Sequence, residues 1–202
     1  SDPVRIGGWT DELGHFDGKI DDVRIYSRAL TADEITRLYN ATRPSHANKT
    51  RRDSLTDGLV GYWDFDGPDT TSSSISDVSG NGNIATRDGD PQPGLGKIGQ
   101  AYELDGGGDF LTVSDSASLD FTTDAVTLAV WVKLDESGSD VFSNVAGKGN
   151  GKPYRIQYRG DGDVRFNLHT TSDANYNLDA SGLLDDDEWT HLVSVYDGAN
   201  TA

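Results

Sequence analysis

Ala125-Val126-Thr127-Leu128-Ala129-Val130-Trp131-Val132-Lys133-Leu134 alternates without a break. Val126, Leu128, Val130, Val132 and Leu134 share one face and Thr127, Ala129, Trp131 and Lys133 the other, the period of two that marks a half-buried strand. Working outward, similar short runs recur at Leu59–Phe65, Ala101–Leu104, Phe110–Val113, Tyr154–Arg159, Val164–His169 and Trp189–Tyr196. Gly160-Asp161-Gly162-Asp163 joins two of them as a tight hairpin turn, because Gly and Asp accept the positive φ such turns demand. Gly147-Lys148-Gly149-Asn150-Gly151-Lys152 reads as a flexible loop between strands. Many short strands with Gly/Asp-rich turns predict an all-β fold, a two-sheet antiparallel jelly-roll sandwich. One segment departs from it. Thr31-Ala32-Asp33-Glu34 is a capping box followed by Ile35, Leu38 and Tyr39 on one helical face, which predicts one short helix near residues 31–39.

The composition restricts function. The 202 residues carry 34 acidic and 17 basic side chains, a net charge of −17, with no Cys and no Met. Nucleic acid is an unfavourable partner, since affinity for phosphate comes from clustered Lys and Arg. No apolar run approaches the roughly 18 residues of a membrane span, so membrane insertion is not expected. The absence of Cys removes disulfides, zinc–thiolate sites and thiol chemistry. Of the acids, 29 are Asp and 5 are Glu, and of the bases 11 are Arg and 6 are Lys. Asp favours turns and can reach hard cations. An acidic, Lys-poor surface suits a halophilic setting, where salt screens self-repulsion, and equally an ordinary acidic secreted protein.

Residues 41–57 read as a linker rich in Thr, Ser, Arg and Asn. Asn40 to Arg52 holds Arg43, Lys49, Arg51 and Arg52 and no acid; it is a solvated tether or an electrostatic dock onto an acidic neighbour. Two glycosylation sequons fall at Asn40-Ala41-Thr42 and Asn48-Lys49-Thr50.

Phe16-Asp17-Gly18-Lys19-Ile20-Asp21-Asp22-Val23-Arg24-Ile25-Tyr26-Ser27-Arg28-Ala29-Leu30-Thr31-Ala32-Asp33-Glu34-Ile35 resembles the closing strand and helix of a laminin-G-like, concanavalin A-like lectin/glucanase jelly-roll domain. Gly58-Leu59-Val60-Gly61-Tyr62-Trp63-Asp64-Phe65-Asp66 and Asp77-Val78-Ser79-Gly80-Asn81-Gly82-Asn83 resemble its opening. Leu104-Asp105-Gly106 with Gly108-Asp109-Phe110, the strand around Trp131, and Trp189-Thr190-His191-Leu192-Val193-Ser194-Val195-Tyr196-Asp197-Gly198 resemble its middle. The order is inverted. Residues 1–40 look like the C-terminal strands and helix, and 58–202 like the N-terminal bulk without its last strands. Three architectures fit: a cut through a tandem repeat array, a permuted domain, or a strand exchanged with a neighbouring copy of the chain. An unfilled sandwich edge is an aggregation hazard.

Asp77, Asn81 and Asn83 lie in a Gly-rich loop where oxygens can converge on a cation that takes about 6–8 of them. The resemblance implies one structural Ca²⁺ linking opening and closing strands, with Asp21 or Asp22 completing the set. Adjacent strand residues point to opposite faces, so only one of that pair can contribute. Sugar binding needs aromatic faces beside amides and carboxylates; Tyr154, Tyr158 and Tyr176 with Asn175 and Asn177 are the candidates, on the concave face. No catalysis is expected. Glucanase relatives place a Glu, an Asp two further on and a second Glu three beyond that, whereas after Glu103 and Asp105 the third place is Gly108, and glycoside hydrolysis needs two spaced carboxyls. The acidic run Asp185-Asp186-Asp187-Glu188 reads as a solvated loop. His15, His46, His169 and His191 lack a nucleophile context. The expectation is an extracellular, Ca²⁺-stabilised, non-catalytic module for adhesion or glycan binding; the alternative is a structural repeat of a surface filament or giant surface protein assembled by strand complementation.

Overall fold

The computed structural model describes residues 2–9, 14–40, 54–67, 73–121, 125–135, 142–149, 154–169 and 175–198. Its elements are β1 (Val4–Ile6), β2 (Asp17–Tyr26), α1 (Ala32–Asn40), β3 (Leu59–Trp63), β4 (Ser74–Ile75), β5 (Ala85–Asp88), β6 (Gln92–Leu95), β7 (Gln100–Asp105), β8 (Phe110–Val113), β9 (Ala125–Leu134), β10 (Ser143–Lys148), β11 (Tyr154–Tyr158), β12 (Val164–His169), β13 (Asn175–Ala180) and β14 (Trp189–Asp197). They form two antiparallel sheets. One has eight strands in the order β13-β12-β11-β10-β1-β8-β5-β4; the other runs β14-β9-β2-β7-β6, with β3 also paired to β2. The all-β jelly-roll sandwich with one helix is therefore the fold.

The alternation in Ala125–Leu134 works as expected. Val126, Leu128, Val130, Val132 and Leu134 enter the core between the sheets, while Trp131 and Ala129 face the other way. That outer face is partly covered: Tyr26, Leu30, Leu38 and Ala129 form a second apolar cluster beneath α1. The capping box is formed, with Thr31 N–H donating to Glu34 at 2.9 Å and Glu34 N–H to the Thr31 hydroxyl at 3.3 Å. The hairpin turn is also formed: Asp161 has φ 52° and Asp163 N–H donates to Gly160 C=O at 2.9 Å.

Residues from the start of the chain sit in the middle of both sheets. β1 lies between β10 and β8, carrying Val4 and Ile6 into the core. β2 lies between β9 on one side and β7 and β3 on the other, contributing Ile20, Val23 and Ile25. Each such buried aliphatic is worth about 1.5–3 kcal/mol.

Two local expectations change. Gly147 and Lys148 do not belong to a loop; they end β10, paired with Arg155 and Tyr154. Lys148 is buried, and its ammonium donates to Asp115 and Asp120, each at 2.6 Å, so a residue read as part of a flexible loop is an internal tie. The last residues of the span read as a linker pack into the fold. Ser54–Thr56 form a 3-10 turn, Leu55 packs beneath α1, and Arg28 Nε donates to Asp57 C=O at 2.7 Å. Residues 41–53, with Asn48 and the basic run, lie outside the described residues. Asn40 is exposed at the end of α1, its amide donating to Thr36 C=O at 2.8 Å.

Candidate functional site

The loop expected to hold a cation is closed by hydrogen bonds. Asp77 accepts from the backbone N–H groups of Tyr62, Ser79 and Asn83 at 2.9–3.0 Å. Asn81 and Asn83 turn their amide N–H groups onto the carbonyls of Leu59 and Val60 at 3.0 and 2.7 Å. The trio fastens β3 to the following loop, and its geometry is that of Asx turns rather than a converging oxygen cage. Asp22 is engaged as well, accepting from Arg24 Nη2 at 3.0 Å, while the same nitrogen donates to the Tyr62 hydroxyl at 2.8 Å.

Asp21 differs. It has no exposed surface, and its Oδ1 has no hydrogen-bond partner, although Oδ2 accepts from Ile98 N–H at 3.0 Å. Burial, with Asp22 and Asp66 nearby, pushes its pKa up to about 8. Asp66 accepts from Gln100 N–H at 2.8 Å, so both carboxylates grip the turn between β6 and β7. The rule that neighbouring residues face opposite ways fails at Asp21-Asp22, because β2 bulges between Asp21 and Arg24 and Asp22 takes φ 56°. Both carboxylates are thereby buried. Among the described residues, no three acidic or histidine side chains group as a metal centre.

The expected sugar face is only partly where it was placed. Tyr154 and Tyr158 point into the core: they are 3% and 4% exposed, Tyr154 donates its hydroxyl to Leu119 C=O at 3.1 Å, and Tyr158 meets Phe16 edge-on. They cannot stack on a sugar. Tyr176 is exposed on the edge strand β13 but faces inward, its ring 5.7 Å from Tyr196 of the opposite sheet. Asn175 and Asn177 face out, both accepting from Asn167 Nδ2 at 2.8 and 2.7 Å. They open a polar row that crosses the eight-stranded sheet in register: Asn177, Asn167, Arg155, Gly147, Arg5, Thr112 and Thr86. Trp9, half-buried, lies under the Arg155 guanidinium at 4.8 Å.

The outer face of the other sheet carries a compact aromatic group. Trp131 stacks on His191 at 4.7 Å and meets Tyr39 of α1 at 5.3 Å, with the Lys97 ammonium 4.7 Å from its ring centre. Burial, then Arg24, lowers the His191 pKa to about 4. Glu103 pairs with Lys19 at 3.2 Å.

A laminin-G family model, described as the concanavalin A-like lectin/glucanases superfamily, matches residues 1–36 and 105–202. The chain belongs to that superfamily. No curated protein and no solved structure matches it. Superfamily membership agrees with the two-sheet sandwich and points to a carbohydrate-binding or adhesion-type module; folds of this laminin-G type are generally non-catalytic. Among the described residues, no helix is long and apolar enough to cross a membrane.

Sequence reading did not single out Trp9, Arg5, Arg155 or Asp66 as candidates. Arg5 and Arg155 are 150 positions apart in sequence and become neighbours across β10 only through strand pairing. A signal existed for the arginines, since each alternates with core residues on a short strand.

Proposed function

We propose that this superfamily member is an extracellular, non-catalytic module for adhesion through glycan binding, and that the outer face of the eight-stranded sheet is its binding surface. The observation that carries this reading is the outward row Asn177, Asn167, Arg155, Gly147 and Arg5 beside the Trp9 ring. Amide and guanidinium groups address hydroxyls, and an indole offers a flat apolar face to a pyranose. A glycan array on the full chain, with Trp9→Ala alongside, tests it. The expected result is binding that weakens at least tenfold in the variant. An array that stays blank at high calcium and high salt overturns the reading.

Calcium enters through Asp21 and Asp66, not through the Asp77–Asn83 loop. Asp21 offers a buried oxygen with no donor, and Asp66 stands beside it; together they would hold a divalent cation whose charge replaces the proton that burial favours on Asp21. Adding a chelator to calcium-loaded protein should lower Tm by about 5 °C or more, and Asp21→Asn should abolish the response. An unchanged Tm removes calcium from the account.

A second reading, a surface-filament repeat assembled by strand complementation, is favoured by one observation. Residues 1–26 supply inner strands to both sheets, and residues 41–53 join them to the remainder. Were those strands given to a neighbour, mass by light scattering would grow in steps of one chain with concentration. A constant monomer mass overturns it.

A further inference from the structure

We infer that the outer face of the eight-stranded sheet is an anion receptor, so that the glycan it takes is an acidic one whose carboxylate or sulfate is held by Arg5 and Arg155; this rests on the glycan-binding reading above. Four of the eleven arginines of a chain with net charge −17 face outward from this sheet: Arg5, Arg155, Arg159 and Arg165. The acids on the same face are engaged. Asp179 accepts from Arg165 at 2.6 and 2.8 Å and from Arg159 at 3.4 Å, and Asp88 accepts from the Thr112 hydroxyl at 2.6 Å. Arg5 and Arg155 have no acidic partner among the described residues, and Arg5 Nη1 and Arg155 Nε are buried without any hydrogen-bond acceptor. Burial lowers the Arg155 pKa, as expected for an uncompensated cation.

Three of these guanidiniums lie over aromatic rings: Arg5 over Phe110 at 5.4 Å, Arg155 over Trp9 at 4.8 Å and Arg159 over Phe142 at 4.6 Å. Such stacking orients the planar fork and leaves its N–H edge for a carboxylate or sulfate, which it can grip with two hydrogen bonds. Gly147 separates Arg5 from Arg155 in the register row, and two strand spacings put their backbones about 10 Å apart. The position has no room for a side chain, since a Cβ there would stand 2.4 Å from that of Arg155. The bare floor between the two cations is where a sugar ring would lie. Both arginines are half-buried, each with one buried nitrogen that has no acceptor, and an incoming anion would supply that missing acceptor.

The experiment is calorimetric titration of the full chain with tetragalacturonate (carboxylate only), a carrageenan tetrasaccharide (sulfate only) and cellotetraose (neutral), with inorganic sulfate and acetate followed by NMR of the arginine side chains. Arg5→Lys and Arg155→Lys keep the charge and lose the fork, and their Tm checks folding. The expected result is that at least one acidic tetrasaccharide binds tenfold or more tighter than cellotetraose, weakens with added salt, and loses tenfold or more in Arg155→Lys. The better acidic arm names the anion. Equal affinity for acidic and neutral sugars, unmoved by either substitution, overturns the inference and leaves glycan binding standing. Simple anions shifting Arg5 and Arg155 with no tetrasaccharide bound keeps the anion receptor and overturns the glycan reading. No binding by any probe overturns both.

Discussion

His191 packs against Trp131 and Tyr39 on the outer face of the six-stranded sheet, and burial there disfavours its charged form. Its folded pKa of about 4 lies below the ordinary value of 6.5. The unfolded chain therefore binds the extra proton first as pH falls, and the stability that neutral His191 contributes is present above pH 6.5 and lost as pH drops toward 4. Chemical denaturation across that window should show a loss of roughly 2–3 kcal/mol, and His191→Gln should flatten the slope. A slope unchanged in the variant assigns the acid sensitivity to other groups. The sequence placed His191 on a strand, within Trp189–Tyr196. It could not show that the ring stacks on Trp131, because that neighbour lies 60 residues away in the chain.

At the scale of the element, α1 is fastened through one carboxylate. Glu34 closes the capping box and also receives Arg28 through two N–H groups at 2.7 and 2.9 Å, while only 6% exposed. Replacing it by Ala strips an N-cap partner and leaves Arg28 without its closest carboxylate. The expected cost is about 2–4 kcal/mol, read as a lowered denaturation midpoint with unchanged m. Glu34→Gln should retain the Thr31 amide bond and lose less. The capping box was readable from Thr31 and Glu34 alone, since its partners are three residues apart. Arg28 was not, because its role depends on how the turn between β2 and α1 folds back.

At the scale of the whole molecule, the seam between residues 1–40 and 58–198 decides stability. Removing 1–40 takes Val4, Ile6, Ile20, Val23 and Ile25 from the core and leaves β8, β10, β9 and β7 without an inner neighbour. Residues 54–202 alone should bind a hydrophobic dye, aggregate, and lack a cooperative thermal transition. Recovery of a cooperative transition on adding a 1–40 peptide would show that the strands can be supplied from another chain, while a stable fold without them contradicts the pairing scheme. The net charge of −17 acts at the same scale. Self-repulsion is long-ranged and screened by salt, so Tm should rise between low and molar NaCl; a flat response removes the halophilic reading.

What the sequence by itself determined is local: the alternating strands, the capping box, the Gly160–Asp163 turn and the jelly-roll class all rest on residues a few positions apart. What only the tertiary structure decided is which side of each strand meets the core and which distant residues meet across it. Tyr154 and Tyr158 went inward because Ile156 shares their face and the core needs it. Arg155, one position over, went outward to join Arg5. The bulge in β2 buried Asp21 and Asp22 together against simple alternation. The reason is physical: parity along a strand is a local property, but its phase relative to the core, and the neighbours across it, are set by long-range pairing.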